Sequence, residues 1–82
     1  MQANNAFLMM TAREELSDTL FFASGERPTY DKVVLNNKKV YNLSTSGYEV
    51  AIAAHNKIAV NNVVCKSITE AKKRIQELLY AN

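Results

Sequence analysis

Hydrophobic residues recur at helical spacing in the first third of the chain. Four of them follow one another at intervals of four and three residues: Ala12, Leu16, Leu20 and Ala23. This spacing places the four side chains on one buried face of an amphipathic helix. Thr11 and Glu14 have the spacing of a capping box, so we predict that the helix begins near residue 12. Gly25 then ends the helix.

A period of two replaces the helical spacing in the middle of the chain. The clearest run extends from Tyr48 to Ala54 and alternates large apolar residues with glutamate and alanine, which is typical of a strand. Two shorter runs predict strands at 31–35 and 38–43. Turn residues separate the runs, at Asn36-Asn37, 44–47 and His55-Asn56. We interpret residues 57–65 as one long returning strand with a bulge at Asn61-Asn62.

A second capping box opens a helix near the end of the chain. Ser67 and Glu70 form the box, and the residues after them again follow helical spacing. The predicted buried face consists of Ile68, Ala71, Ile75 and Leu78, with Leu79 adjoining.

These elements predict a small α+β domain with two layers, in the order α-β-β-β-(β)-α. The connections between strands are too short for parallel crossovers, so we expect a three- or four-stranded antiparallel meander. With 82 residues, the chain 1–82 is predicted to be a single domain. Residues 1–10 form either a flexible arm or an extra turn whose Phe7 and Met10 dock onto the core.

The amino-acid composition limits the kinds of protein that this chain can be. The chain is 48% hydrophobic and holds one cysteine, so it needs a packed core and has no internal disulfide. A lone thiol suits a reducing compartment, and we expect a cytoplasmic protein. The first ten residues contain no basic group, and their apolar run is too short for a signal peptide or a membrane span. We therefore expect no membrane association.

The residues best suited to catalysis are too few and too far apart. Cys65 precedes a predicted helix N-terminus, but the only histidine, His55, is placed at the other end of the same predicted strand. Ten residues of strand span about 33 Å, which excludes a Cys–His dyad within one copy. We expect Cys65 to be a buried apolar residue and His55 a solvated turn residue. The sequence also lacks a glycine-rich phosphate loop and a Gly-x-Ser-x-Gly motif, so we predict no enzyme and no cofactor. One histidine and one cysteine far apart cannot supply the three or four ligands of a zinc site, so we predict no metal site.

Charge is distributed unevenly along the chain. Residues 1–31 hold five acidic and two basic side chains, whereas residues 32–82 hold eight basic and three acidic ones. Seven of these basic residues are candidates for contact with a partner or with nucleic acid: Lys66, Lys72, Lys73, Arg74, Lys38, Lys39 and Lys57. If the predicted turns meet at one end of the sheet, some of these lysines form a basic rim that suits phosphate groups. The alternative is a solvated face neutralised by Glu70 and Glu77.

One face of the predicted sheet is unusually poor in side-chain volume and charge. Ala51, Ala53 and Ala59 lie on it, and Val63 adds to it. If both helices cover the opposite face, these residues form a flat apolar patch, which marks a partner surface. If the helices cover the two faces, the alanines are buried.

The run YEVAIAAHNKIAVNNVVCKSITEAKKRI resembles the strand–strand–helix ending of the arm-type DNA-binding domains of phage-like integrases. Those domains carry a three-stranded sheet followed by a helix that starts Thr/Ser-x-x-Glu-Ala, as at Ser67. The resemblance covers about a third of the chain. Such domains place basic and polar readers on the exposed sheet face, where this chain has the three alanines. We therefore carry over no residue roles from the family.

Taken together, the sequence favours a small non-enzymatic cytoplasmic binding protein that acts on another protein as an adaptor, inhibitor or accessory subunit. A bacterial or phage accessory protein fits this description, and pairing with a second copy is a further option. The alternative is a nucleic-acid-binding regulator that uses the basic second helix.

Overall fold

A computed structural model describes residues 5–55 and 57–80 of the chain. In chain order its elements are α1 (Asn5–Ser24), β1 (Thr29–Leu35), β2 (Lys38–Thr45), β3 (Tyr48–Ala53), β4 (Lys57–Val60), β5 (Val63–Cys65) and α2 (Ile68–Tyr80). The strands form one sheet in the order of the sequence, and each is antiparallel to its neighbours. The predicted small α+β domain, with a helix, an antiparallel meander and a second helix, is confirmed.

The first helix begins seven residues earlier than its capping box predicts. It starts at Asn5, so Thr11 and Glu14 lie inside the helix and the predicted start near residue 12 is wrong. The helix continues upstream because Met9 is only 6% exposed and joins the core, and its burial favours extra turns. Of the two predicted alternatives for the first ten residues, residues 5–10 therefore follow the one with additional turns.

Phe7 and Met10, which were predicted to dock onto the core, both lie inside α1. Met10 is exposed and Met9 takes the core position instead, one residue away on the helix. The predicted docking of Phe7 concerns a side chain outside the described part of the structure, as do residues 1–4.

The predicted bulge at Asn61-Asn62 is a complete turn. Both residues have positive φ, 48° and 68°, as do Asn36 and Asn37 in the first hairpin, at 52° and 65°. Two consecutive left-handed residues reverse a chain, and asparagine tolerates this conformation better than most residues. The predicted long strand 57–65 is therefore two strands, with Val60 paired to Val63. The sheet has five strands rather than three or four.

The Asn61 side chain holds this turn against the neighbouring hairpin. Its Oδ1 accepts a hydrogen bond from the Glu49 backbone N–H at 2.7 Å, and its Nδ2 donates to the Gly47 carbonyl at 3.0 Å. The Asn61 backbone N–H donates to the Glu49 carbonyl at 2.8 Å. The turn is thus tied to β3, which favours the hairpin over a continuous strand.

The second helix begins as its capping box predicts. Ser67 Oγ accepts a hydrogen bond from the Glu70 N–H at 3.1 Å, and the Glu70 carboxylate accepts one from the Lys66 N–H at 3.0 Å. Two backbone donors at the helix N-terminus are satisfied in this way. Ala71 and Ile75 are fully buried, as the predicted helix face requires.

Both helices pack on the same face of the sheet. Leu16 and Leu20 of α1 and Ile75 of α2 join one core with the inward-facing strand residues. Those strand residues are Leu43, Tyr48, Val50, Ile52, Ile58, Val60 and Cys65. Of the two predicted arrangements, the one in which the helices cover both faces is therefore wrong. Within residues 5–55 and 57–80, no helix lies over the second face of the sheet.

Candidate interaction surface

The face of the sheet opposite the helices is called the open face here. Cross-strand partners share a face, and the register aligns one row of residues across all five strands: Asp31, Asn42, Ala51, Ala59 and Val64. Alternation along the strands adds Val33, Val40 and Ala53 to the same face. The predicted alanine surface, formed by Ala51, Ala53 and Ala59, thus occupies the centre of the open face.

Val64, not Val63, extends this apolar surface. Val64 pairs with Ala59 and is 74% exposed, whereas Val63 pairs with Val60 and belongs to the helix side. The prediction for Val63 fails because the Asn61-Asn62 turn starts a new strand and sets its register. A depression of about 470 Å³ lies over the apolar centre, between Ala53 and Val64.

The open face carries opposite charges at its two ends. Lys38 and Lys57 border it at the end of the sheet that holds the Asn36-Asn37 turn, since they pair with Leu35 and Ala53. Asp31 and Glu49 border it toward the other end, where they line a polar depression of about 380 Å³. The surface is therefore apolar in the centre, basic at one end and acidic at the other.

Four predicted basic residues meet at one end of the sheet, called the lysine end here. A meander places every second turn at the same end. Lys38 and Lys39 follow the turn between β1 and β2, Lys57 follows the turn between β3 and β4, and Lys66 follows β5. These four side chains are exposed. Their backbones are spread over roughly 15 Å, because neighbouring strands lie about 4.8 Å apart.

The basic residues of α2 do not form one continuous site. Lys72 donates to Glu15 Oε1 of α1 at 3.0 Å, which commits its charge to a contact between the helices. Lys73 is exposed, whereas Arg74 is half-buried, with its Nε enclosed and without a hydrogen-bond partner in the described residues. Lys73 is thus the member of this cluster best placed for an outside partner.

Cys65 and His55 are closer than the sequence predicts. The chain reverses at Asn61-Asn62, so Cys65 pairs with Ile58, three residues after His55, and the argument from a continuous strand is wrong. Other features now oppose a nucleophile. Cys65 is buried, and burial raises the pKa of its thiol above the ordinary value, with the Glu70 carboxylate raising it further. His55 is exposed in a turn with a φ of 60°.

A cluster that sequence analysis misses lies beside β1. The Arg13 guanidinium sits over the Tyr30 ring at 4.6 Å and reaches the Tyr41 ring at 5.7 Å. The two tyrosine rings are 5.5 Å apart. These residues come from three elements, and no local pattern in the sequence indicates that they meet.

Within residues 5–55 and 57–80, no three His, Cys, Asp or Glu side chains cluster as a metal site would require. Neither α1 nor α2, as described, is long and apolar enough to cross a membrane. In comparisons with known protein families, curated proteins and solved structures, nothing matches this chain.

Proposed function

We propose that this protein is a non-enzymatic protein-binding module that acts through the open face of its sheet. The observation that carries the proposal is that both helices pack on one face and leave the alanine-rich centre and Val64 uncovered. An adaptor, inhibitor or accessory subunit would use such a face. The proposed location is the cytoplasm, since a single buried thiol suits a reducing compartment.

Apolar area supports the proposal. Single-chain soluble proteins rarely expose a contiguous apolar patch larger than a few hundred Å² without using it. Five strands about 4.8 Å apart span about 19 Å between the outermost backbones, so the open face has the width of one side of a small interface, at the low end of the range for specific complexes. Small side chains at its centre let a partner backbone or helix approach closely.

The charged residues at the two ends of the open face indicate which groups a partner should carry. A matching surface has an apolar centre, acidic groups opposite Lys38 and Lys57, and basic groups opposite Asp31 and Glu49. These charges lie at the margin of the face, where they set orientation and association rate more than affinity. We propose a different protein, rather than a second copy of this chain, as the occupant.

Cys65 and His55 are the two side chains best suited to catalysis, and their surroundings support a non-enzymatic role. The Cys65 thiol is buried and has a raised pKa, which lowers the fraction of reactive thiolate at neutral pH. His55 projects from an exposed turn.

The test is affinity purification from the source cell after nuclease treatment. Ala53→Arg places a long charged side chain in the apolar centre of the open face, and Gln76→Arg adds the same group to the exposed side of α2. We expect the unmodified protein and Gln76→Arg to retain a stoichiometric partner that Ala53→Arg loses. Circular dichroism must show that both variants remain folded.

Light scattering on the purified protein separates a second copy from a different partner. A dimer that Ala53→Arg dissociates would mean that the open face binds this chain itself, contrary to our choice of occupant. Retention of the partner by Ala53→Arg would overturn the open face as the binding site.

The lysine end supports a second candidate function, nucleic-acid binding. Four exposed lysines lie there, and phosphate neutralisation by such groups makes affinity steeply dependent on salt. Fluorescence anisotropy with labelled DNA and RNA tests it. Each phosphate-contacting lysine changes the slope of log affinity against log salt by about one, so Lys57→Gln should lower the slope and Lys72→Gln should not. Absence of binding at low salt would exclude this candidate.

A further inference from the structure

A trough runs along the central strands of the open face. Two depressions, of about 470 and 380 Å³, both have Ala51 and Ala59 in their lining, so they adjoin. Ala53 continues this floor toward the lysine end. Val40 on β2 and Val64 on β5 carry larger side chains on the same face and border the floor on its two sides. The two depressions together are called the alanine trough here.

The alanine trough has the width of one helix. Its borders lie on β2 and β5, which are three strand spacings apart in the sheet, or about 14 Å between backbones. An α-helix with its side chains has a diameter of roughly 10–12 Å. The space between the bordering valines therefore accommodates one helix that lies along the strands.

The backbone groups beneath the trough are already paired. β3 and β4 each have a strand neighbour on both sides, since the order of the sheet is β1-β2-β3-β4-β5. An extended segment seated there would find no ladder partner for its own N–H and C=O groups. A helix satisfies most of these groups internally, so it can lie on the face of a sheet without such partners.

Charge along the trough changes sign from one end to the other. Lys57 lines it at one end, and Lys38 borders the open face there. Asp31 and Glu49 line it at the other end, and among the described residues the lining of each depression carries charge of one sign. Glu49 is four residues from Ala53, the partner of Lys57, so the charges lie about 13 Å apart. About nine helical residues span this distance.

A second copy of this chain fits the trough poorly. Two open faces packed against each other would set one alanine floor opposite the other and leave empty space between them. Empty space of this kind forfeits dispersion contacts along its lining. The helices of a second copy already bury their apolar faces in their own core, where Leu16 and Ile75 are fully enclosed. The trough therefore favours a helix from a different protein.

We propose that the alanine trough binds an amphipathic α-helix of another protein, which lies along β3 and β4 as a third layer. This inference rests on the proposed function, since it names the kind of partner that the open face takes. Apolar side chains of the helix, at intervals of three and four residues, contact Ala51, Ala59 and Val64. An acidic side chain near one end of the helix meets Lys57, and a basic one about nine residues away meets Glu49.

Selection from a phage-displayed library tests the proposal, with a two-helix scaffold whose outward helix face is randomised as the probe. We expect enriched helices to carry an apolar stripe with an acidic residue at one end and a basic residue at the other. Ala51→Leu fills the floor without adding charge, so it should weaken a selected helix by at least about tenfold. Gln76→Leu adds the same side chain to the exposed side of α2 and should leave binding unchanged.

NMR on the unmodified protein tests the same site without a substitution. A bound helix should shift the methyl signals of both borders, Val40 and Val64, because it lies between them. Shifts confined to residues outside the open face would overturn the proposal. A library that enriches no helix whose binding depends on Ala51 would overturn it as well.

Affinity purification from the source cell separates failure of this proposal from failure of the proposed function. We expect Ala51→Leu to lose the partner that Ala53→Arg loses, with both variants folded by circular dichroism. Loss with Ala53→Arg but retention with Ala51→Leu would overturn the helix in the trough and leave binding through the open face intact. Retention of the partner by both variants would overturn the open face itself.

Discussion

The two capping-box sequences of this chain make a sharp test, because the structure uses only one of them as a cap. Ser67 Oγ accepts the Glu70 N–H at 3.1 Å at the start of α2, whereas Thr11 lies six residues inside α1. Replacing a capping serine by alanine costs about 1 kcal/mol, within a range of roughly 0.5–2. We therefore expect Ser67→Ala to lower the free energy of unfolding by about 1 kcal/mol.

Thr11→Ala should leave the free energy of unfolding nearly unchanged. Threonine in a helix interior is less favourable than alanine by up to about 0.7 kcal/mol, and this gain offsets the loss of the half-buried Thr11 methyl group. We expect a change within about 0.5 kcal/mol of zero. The sequence motif alone would predict equal losses at both sites.

Urea unfolding followed by circular dichroism measures the difference. In thermal unfolding, a loss of 1 kcal/mol lowers the melting temperature of a domain of this size by roughly 4–8 °C. Ser67→Asp is the matched control, since an aspartate both accepts the hydrogen bond and favours a helix N-terminus, so it should keep the stability of the original protein. If Thr11→Ala destabilised the protein as much as Ser67→Ala, α1 would begin at Thr11 and our account of its start would be refuted.

Three further predictions concern single contacts. Asn62→Val should lower the free energy of unfolding by about 1–2 kcal/mol, because a β-branched residue tolerates its φ of 68° poorly, and Asn62→Gly should not. The raised pKa of the Cys65 thiol means that the folded state holds this proton more tightly, so stability is lost as pH rises above about 8.5. Cys65→Ala should show a shallower decline over that range in urea titrations. A double-mutant cycle on Glu15 and Lys72 should give a coupling of only about 0.2–1 kcal/mol, since both side chains are partly exposed; a value near zero at high salt fits, and a value above 2 would contradict it.

Local signals predicted most of the secondary structure. Alternation marked β3, the Asn36-Asn37 pair marked the first hairpin, and Ser67 with Glu70 marked the start of α2. These features depend on residues close in sequence, so their physical causes are visible in short stretches of the chain.

Predictions from short stretches of sequence were wrong where the same residues suit two local structures about equally well. Thr11 and Glu14 suit a helix interior as well as a cap, and burial of Met9 decided between them. Two asparagines suit a bulge as well as a turn, and the hydrogen bonds from Asn61 to Glu49 of β3 and to Gly47 just before β3 favoured the turn. In both places the deciding contact comes from residues that the local pattern does not include.

The sequence by itself determined that this chain is a small α+β meander with an apolar helix face at each end and alanines on one side of its central strands. Only the tertiary structure decided that both helices share one face, because that choice depends on packing between α1 and α2. The same packing leaves the open face uncovered by α1 and α2 and brings Arg13 over the Tyr30 ring beside β1. Candidate surfaces of this kind arise from contacts between distant residues, and periodicity along the chain does not encode them.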